Sequence, residues 1–592
     1  MIMTNTTHDS NTKKYKSMKK TGIILAFLLV TFGVFAQPGT ADVTVIGNGN
    51  REIEPAYRIP ETPKIIDTVK TTPVASYPML TFQGKTKIYL DTIEAATVET
   101  TEKLRQLYPF YAKVGIGSVI MPLAELYYNS TRSRGTQFGA HVKHLGSYSN
   151  NIKDRNKVSY APAQYDRTDV LLFGKAIETN YIFNGSLRYK NDGFHYYGIP
   201  NDTISADSIS QRIQQVGAAM EFTGNRGDTS MFNYRIGADY NYLFSKKPND
   251  SLADWKTQEH HFDFKAKGWY NFKSESFYGN IGVRFNGYKY GIADSSLNAL
   301  DSGIVKNNTI IDIQPGVLTQ KLNDKLRVDV GVRLSIDVQA KTRAYVYPQL
   351  SLQYAMANNK FIPFIGITGG LKQGTFRSFY NDNAYVLTNL QLQNEHNPYT
   401  VYGGFKGAIG KKVGFNVNAS FGRVMNKGFF VTDTLYSQRN KFSLVYDTLN
   451  LTKVEASLSY QLAEKIKIDG IGRFYSYETK NQAYAWNLPT LQFVLRGNYN
   501  LYDKFLLNLD GTIEAGRKAM VYGPGTGVKQ ENGQYYVSLG TIADVNLGLE
   551  YRYNTRVSIF LQGNNLLSQR YLRWYNYPVQ PIQVMGGITA RF

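Results

Sequence analysis

From about Phe110 to its end, the chain alternates apolar and polar residues with a period of two, in runs of roughly 10 to 14 residues. In the run Asp544 to Tyr553, Val545, Leu547, Leu549, Tyr551 and Tyr553 alternate with Asn546, Gly548, Glu550 and Arg552. Leu491, Phe493, Leu495, Tyr499 and Leu501 repeat the pattern against Gln492, Arg496, Asn498 and Asn500, and Val454, Ala456, Leu458, Tyr460 and Leu462 repeat it against Lys453, Glu455, Ser457 and Ser459. Strands of this length, with charges such as Arg496 and Glu550 on the wet face, do not suit a soluble sandwich, whose strands are typically about five or six residues long. They suit an all-β fold, a transmembrane antiparallel β-barrel with its apolar face to lipid and its charged face to the lumen. Such a barrel must close, because an open edge in hydrocarbon leaves backbone groups unpaired at several kcal/mol each.

Turn spacing points the same way. Tight turns are predicted at Lys273-Ser274-Glu275, Asn323-Asp324-Lys325, Asn358-Asn359-Lys360, Gly410-Lys411-Lys412, Ala463-Glu464-Lys465, Tyr502-Asp503-Lys504 and Asn554-Thr555-Arg556. Between them lies room for two strands and one longer loop, so short turns mark the periplasmic face and long loops the other. The loops 374–397, 426–448, 517–540 and 567–580 are expected to face outside. Counting back from the carboxyl terminus gives about 19 strands to near Tyr181, and two or three more are expected between Phe110 and Thr179, for about 22 in a range of 18 to 22.

Composition narrows the rest. Mean hydropathy is −0.34 and 42% of residues are apolar, too few for a bundle of membrane helices that each need roughly 20 consecutive apolar residues. The absence of Cys among 592 residues excludes a disulfide scaffold, thiolate metal sites, a Cys nucleophile and an acylated amino-terminal Cys. A net charge of +21 raises nucleic acid as a partner. The basic residues, however, are scattered singly along the chain, and lipid headgroups or solvent are the expected surroundings.

Met18 to Gln37, MKKTGIILAFLLVTFGVFAQ, has the two Lys, the apolar run and the small residues of a secretory signal, with cleavage expected between Ala36 and Gln37; residues 1–17 are either a long n-region or lie before a true start at Met18. Residues 1–36 are therefore assigned to the signal peptide. Residues 37–108 carry Pro38, Pro55, Pro60, Pro63, Pro73 and Pro78 and read as a periplasmic tether or plug remnant, with one short helix possible over Asp91 to Leu107. The barrel is assigned to residues 109–592.

The last twelve residues, PIQVMGGITARF, place Gly586, Ile588, Ala590 and Phe592 on one face of an alternating strand. A terminal Phe in that setting resembles the assembly signal of bacterial outer-membrane proteins. The segment Val557 to Phe592, in which a strand runs into Asn564, Asn565 and Leu566, then an aromatic loop and a final strand, resembles the closing hairpin of TonB-dependent receptors. Leu392 to Val424 resembles the receptor segment in which an Asn-Pro loop precedes two barrel strands. The signal style and the Tyr-rich loops are similar to proteins of Bacteroidetes-type envelopes. The resemblance implies a 22-stranded Gram-negative outer-membrane barrel that moves large solutes, gated by an amino-terminal plug. The chain departs from it in offering about 70 Pro-rich residues where a plug runs well over 100, and Asp42-Val43-Thr44-Val45 matches the TonB-contacting box only faintly.

Other motifs have plainer readings. His141 and His144 fall on opposite faces of a strand, as do His260 and His261, so no metal is expected. Gly523 to Lys529 lacks the spacing of a phosphate loop, and Arg226-Gly227-Asp228 is a turn. No Ser-His-carboxylate arrangement or nucleophile elbow is present, so neither an enzyme nor a cofactor is expected. Two functional expectations follow. One is transport of a large solute, with Tyr571, Trp574, Tyr575 and Tyr577 as candidate ligand contacts in the outer loop. The other is a plugless structural or accessory subunit of an envelope complex. Expected partners are outer-membrane lipid, the assembly machinery acting through the carboxyl-terminal strand, and periplasmic or surface lipoproteins.

Overall fold

The computed structural model describes residues 107–592 except 132, 134, 150, 225–231, 246–256, 291–303, 323–324, 435–437 and 463–464. The signal peptide with Ala36 and Gln37, the Pro-rich segment up to residue 106 and Arg226-Gly227-Asp228 lie outside the described residues.

Among the described residues, 22 antiparallel strands join side by side in one sheet. The first, Phe110–Gly117, pairs with the last, Gln583–Arg591, Tyr111 opposite Arg591 and Gly117 opposite Met585, so the sheet closes on itself and leaves no edge. Four wall strands precede Tyr181, at Phe110–Gly117, Met121–Asn129, Thr136–Ser147 and Tyr165–Ile177, and eighteen follow. The total agrees with the sequence expectation, but its division does not: the expected 19 are 18, and the expected two or three are four. The first two strands are only 8 and 9 residues long, and Gly115, Gly117 and Pro122 interrupt their alternation.

The wall separates lipid from lumen as the alternation implies. Leu458, Ile559, Leu561 and Ile588 are each a little over half exposed on the outer face. Cross-strand ion pairs line the inner face: Arg212 grips Asp166 bidentately at 2.8 and 2.9 Å, Arg473 reaches Glu455 at 2.7 Å, and Arg188 reaches Asp239 at 2.5 Å. The tight turns follow from twist. Asn358 and Asn359 have φ of 54° and 65°, and Tyr502 and Asp503 have 52° and 55°, the mirror-image turns that match the right-handed twist of the strands they join.

Two strands are far longer than a bilayer requires. Val413–Thr432 and Phe442–Leu462 have 20 and 21 residues and stay paired out to Thr432 opposite Phe442. At ~3.3 Å per residue, such strands reach about twice the ~30 Å hydrocarbon thickness. The expected loop 426–448 is thus mostly strand, and only 433–441 connects. Above the membrane the outward face need not be greasy, so the period-two signal fades there. Phe429, Val431 and Leu449 instead pack with the buried Trp486 beneath a small sheet of Lys518–Val521, Lys529–Glu531 and Gln534–Ser538, which occupies much of the loop 517–540. Gly523 and Gly527, both at positive φ, lie between the first two of those short strands.

Candidate functional site

The segment 373–394 does not project outward. It leaves the wall after Lys372, turns into the lumen and rejoins the wall at Glu395. Its first part is the helix Phe376–Asp382, started by a reciprocal pair in which Ser378 N–H donates to Thr375 Oγ1 at 3.1 Å and Thr375 N–H donates to Ser378 Oγ. Glu259, 1% exposed on the strand Gln258–Phe272, accepts from the Arg377 N–H at 2.8 Å and so satisfies one of the free N–H groups at the helix start. Tyr380 donates to Asp192 at 2.9 Å, and Asp192 is in turn held by Arg167 and Lys190 at 2.7 and 2.9 Å.

Beyond the helix the segment is latched by polar contacts. Leu387 N–H donates to Phe442 O at 2.9 Å and Phe442 N–H donates to Tyr385 O at 3.0 Å. The Thr388 carbonyl accepts from Thr257 Oγ1 at 2.6 Å and from the Tyr288 hydroxyl at 2.5 Å. At the return end, Asn394 and Asn308 exchange amide hydrogen bonds at 2.6 and 2.9 Å, and Asn394 also donates to Asp337 at 2.8 Å. All three are at least nine-tenths buried.

The strand Tyr181–His195 is fifth in the ring and Phe442–Leu462 is sixteenth, eleven steps apart among 22 and therefore diametrically opposed. Yet the residues beyond their ends touch: Asn440 Nδ2 donates to Tyr196 O at 2.7 Å. Tyr196 donates to Val386 O at 3.2 Å, and Tyr197 donates to Pro578 O at 2.9 Å. At the meeting point Tyr385 stacks on Tyr577 at 3.9 Å, and Tyr197 meets Tyr577 edge-on at 4.8 Å. Trp574 packs against Phe430 and Phe442 at 5.2 and 5.7 Å. Gly198 lies against the Tyr577 ring where a Cβ would clash with it. The mouth is thus bridged by loops from several sides.

Burial governs the ionisation of this bridge. It pushes the Tyr385 hydroxyl up to about 12 and raises those of Tyr197 and Tyr577 well above the usual phenol range, so the central rings are neutral at physiological pH. Arg517, 2% exposed, is held down to about 10 by burial and by Arg573. It is still cationic at neutral pH, and it donates to the carbonyls of Leu572 and Arg573 at 2.8 Å each, anchoring the hairpin that carries Tyr577.

Of the aromatic residues singled out in the sequence, Tyr577 is 1% exposed at the centre of the bridge, Trp574 is half-buried in packing, and Tyr575 is half-buried. Tyr571 lines a cavity of about 270 Å³ between the bridge and the wall, with its hydroxyl donating to Asp544 at 2.8 Å. Asn564 and Asn565 border the same cavity. Asn565 ties the closing hairpin together, its amide donating to the carbonyls of Gln569 and Gln580 at 2.9 Å each, while Leu566 N–H donates to Val545 O. In the last strand Ile588 and Phe592 face outward, and Phe592 stacks on Phe110 at 5.3 Å across the closing seam, with Gly586 and Ala590 in the same strand. His141 lies against Glu125 at 3.0 Å and Tyr127 at 3.9 Å, while His144 bonds Thr168. Sequence reasoning missed Glu259, Asp192, Tyr385 and Asn394. The carboxamide-rich run 389–397, NLQLQNEHN, was the available signal for the last of these.

No family model matches the chain, and no curated protein does. Solved structures do match in fold. The ferric-catecholate import receptor Fiu from K12 E. coli, in its closed form, is 13% identical, with 82% of each chain covered and a TM-score of 0.57. The FrpB iron transporter from Neisseria meningitidis is 9% identical, covering 83% of this chain and 82% of that one at a TM-score of 0.60. The pyoverdine outer-membrane receptor FpvA from Pseudomonas aeruginosa PAO1 is 12% identical, covering 83% and 79% at 0.58. At such identities the likeness is one of fold. Closed wall, apolar outer face and the fold of these neighbours together make the chain a multi-pass outer-membrane β-barrel of 22 strands.

Proposed function

We propose that the chain takes up or passes a large solute across the outer membrane and that the segment 373–394 is its gate. The observation that carries this reading is that the segment leaves the wall, enters the lumen and rejoins the wall, held there by the buried Phe376, Val386, Leu387 and Leu390 and by hydrogen bonds to Glu259, Thr257, Tyr288, Asn308 and Asp337. None of these contacts belongs to the ladder that pairs wall strand with wall strand, so releasing the segment leaves the closed sheet intact. Import and transport named for the fold neighbours accord with this. The Pro-rich residues 37–108 would act as a periplasmic tether or plug remnant, and a TonB-type energy source would act through them. Gly586 to Phe592 would serve the assembly machinery.

The lack of native Cys permits a clean test. Thr257→Cys combined with Thr388→Cys, oxidised until free thiols vanish, should lock the segment and abolish conductance of the purified full chain in a planar bilayer, and reductant should restore it. Conductance indifferent to reduction would refute the gate. A barrel that stays silent under every condition and copurifies with stoichiometric envelope proteins would favour the accessory role.

A further inference from the structure

The cavity beside the bridge has a chemistry unlike the rest of the lumen. Its outer wall is the barrel itself, where Asp544, Asn546, Asn564 and Gln583 face inward from three neighbouring strands. The facing side is Tyr165 and Phe194, from two neighbouring wall strands, with Tyr197 and Tyr385 from the bridge. Six of the sixteen lining residues carry carboxamides and five are Phe or Tyr, while none is Lys or Arg. That absence is informative in a chain of net charge +21 whose lumen is otherwise lined with Arg and Lys ion pairs. His195 also lines the cavity, its Nδ1 taken by the Gln164 carbonyl at 2.7 Å, but the fixed cation of a Lys or Arg, which would favour an anionic solute, is missing from the lining.

Carboxamides present a donor and an acceptor at fixed spacing, which matches neighbouring hydroxyls, and aromatic faces suit the apolar C–H face of a sugar ring. Several of the amides are held in place beforehand: Asn546 Oδ1 accepts from Asn565 N–H at 2.9 Å, Asn564 Oδ1 accepts from Gln562 at 3.1 Å, and Gln580 pairs with Ser147. The single carboxylate, Asp544, uses Oδ2 to accept from Tyr571, while Oδ1 is buried with no hydrogen-bond partner. A ligand hydroxyl donating to it would satisfy an acceptor that is costly to leave bare. At about 270 Å³ the space lies just below the ~300 Å³ lower end of small-molecule pockets, which sets it at the terminal unit of a chain rather than a whole large solute.

We infer that this cavity is a subsite for the terminal sugar of a neutral glycan, formed by the carboxamides of the closing hairpin, Asp544 and the aromatic flank of the bridge. The inference rests on the uptake reading and specifies its substrate class. The test is quenching of intrinsic Tyr and Trp fluorescence in the full chain in detergent, titrated with maltotriose, cellotriose and chitotriose, with trigalacturonate and triglycine as the acidic and peptide probes. Binding of at least one neutral trisaccharide in the millimolar range or tighter, weakened about tenfold or more by Asp544→Asn and about fivefold by Gln583→Leu, is the expected result; loss of a hydrogen bond to a charged group is about as large as the first and loss of a neutral one about as large as the second. A heat-modifiable band on gels confirms that each variant is folded. Preference for trigalacturonate or triglycine, no binding by any neutral trisaccharide, or binding untouched by both variants would overturn the inference. The disulfide lock reads the gate separately, so either idea can fail alone.

Discussion

Replacing Tyr577 with Ala should loosen the bridge by a calculable amount. The side chain is 1% exposed, stacks on Tyr385 at 3.9 Å and donates its hydroxyl to Asn440 O. Truncating a buried aromatic residue to Ala costs about 3–5 kcal/mol, of which the ring pair supplies roughly 0.5–1.5 and the hydroxyl about 1. At ~1.4 kcal/mol per tenfold, the equilibrium between bridged and opened mouth shifts by roughly two to three and a half powers of ten. Amide hydrogen exchange reads this directly, because the N–H groups of Leu387 and Phe442 bond across the bridge and exchange only when it opens. Their protection should fall by that factor in Tyr577→Ala and by about fivefold in Tyr577→Phe, which loses only the hydroxyl. Tyr553→Ala, at a wall turn and 65% exposed, should leave it unchanged. If protection at Leu387 and Phe442 in Tyr577→Ala matches the Tyr553 control, the mouth is held shut by something other than this ring.

Asn394→Ala leaves the buried Asn308 amide and the Gly374 N–H without their partner; at about 1–3 kcal/mol for each stranded group, protease cleavage within 373–394 should quicken while the wall stays resistant. Leu561→Arg, on the outward face, should cost roughly 2–4 kcal/mol if that position lies near mid-bilayer and lower the yield of heat-modifiable barrel, whereas Asn508→Lys, on the inward face beside Asp510, should leave it near wild type. Deleting Phe592 removes two backbone hydrogen bonds to Phe110, at 2.9 and 3.1 Å, and a ring contact at the closing seam; pulse-labelled cells should show slower barrel assembly, and unchanged assembly kinetics would argue against the carboxyl-terminal strand as the signal.

The wall was legible in the sequence because lipid imposes a strict rule on every second residue, and a rule repeated over many strands averages out local exceptions. Where that rule lapses, legibility lapses with it. The outer halves of Val413–Thr432 and Phe442–Leu462 stand above the lipid and read as loop. The bridge follows no period. Tyr196 meets Val386 across 190 residues of sequence and Tyr197 meets Pro578 across 381, so nothing local marks those tyrosines as buried. Trp574 and Tyr577 stood out as aromatic residues in a loop, but whether a ring faces solvent or packs is settled by which loop arrives opposite. Glu259 shows the same limit: one acidic residue in an alternating strand looks like any other lumen charge until a helix is placed against it.

A tube whose wall is one sheet thick resists stretching along its hydrogen bonds far better than it resists flattening. The contact between loops rooted at the fifth and sixteenth strands spans a diameter, and a tie across a diameter is what keeps a ring round. Loss of that tie would soften the cross-section and allow the barrel to become oval, so that lateral pressure in the surrounding bilayer acquires leverage over the bridge.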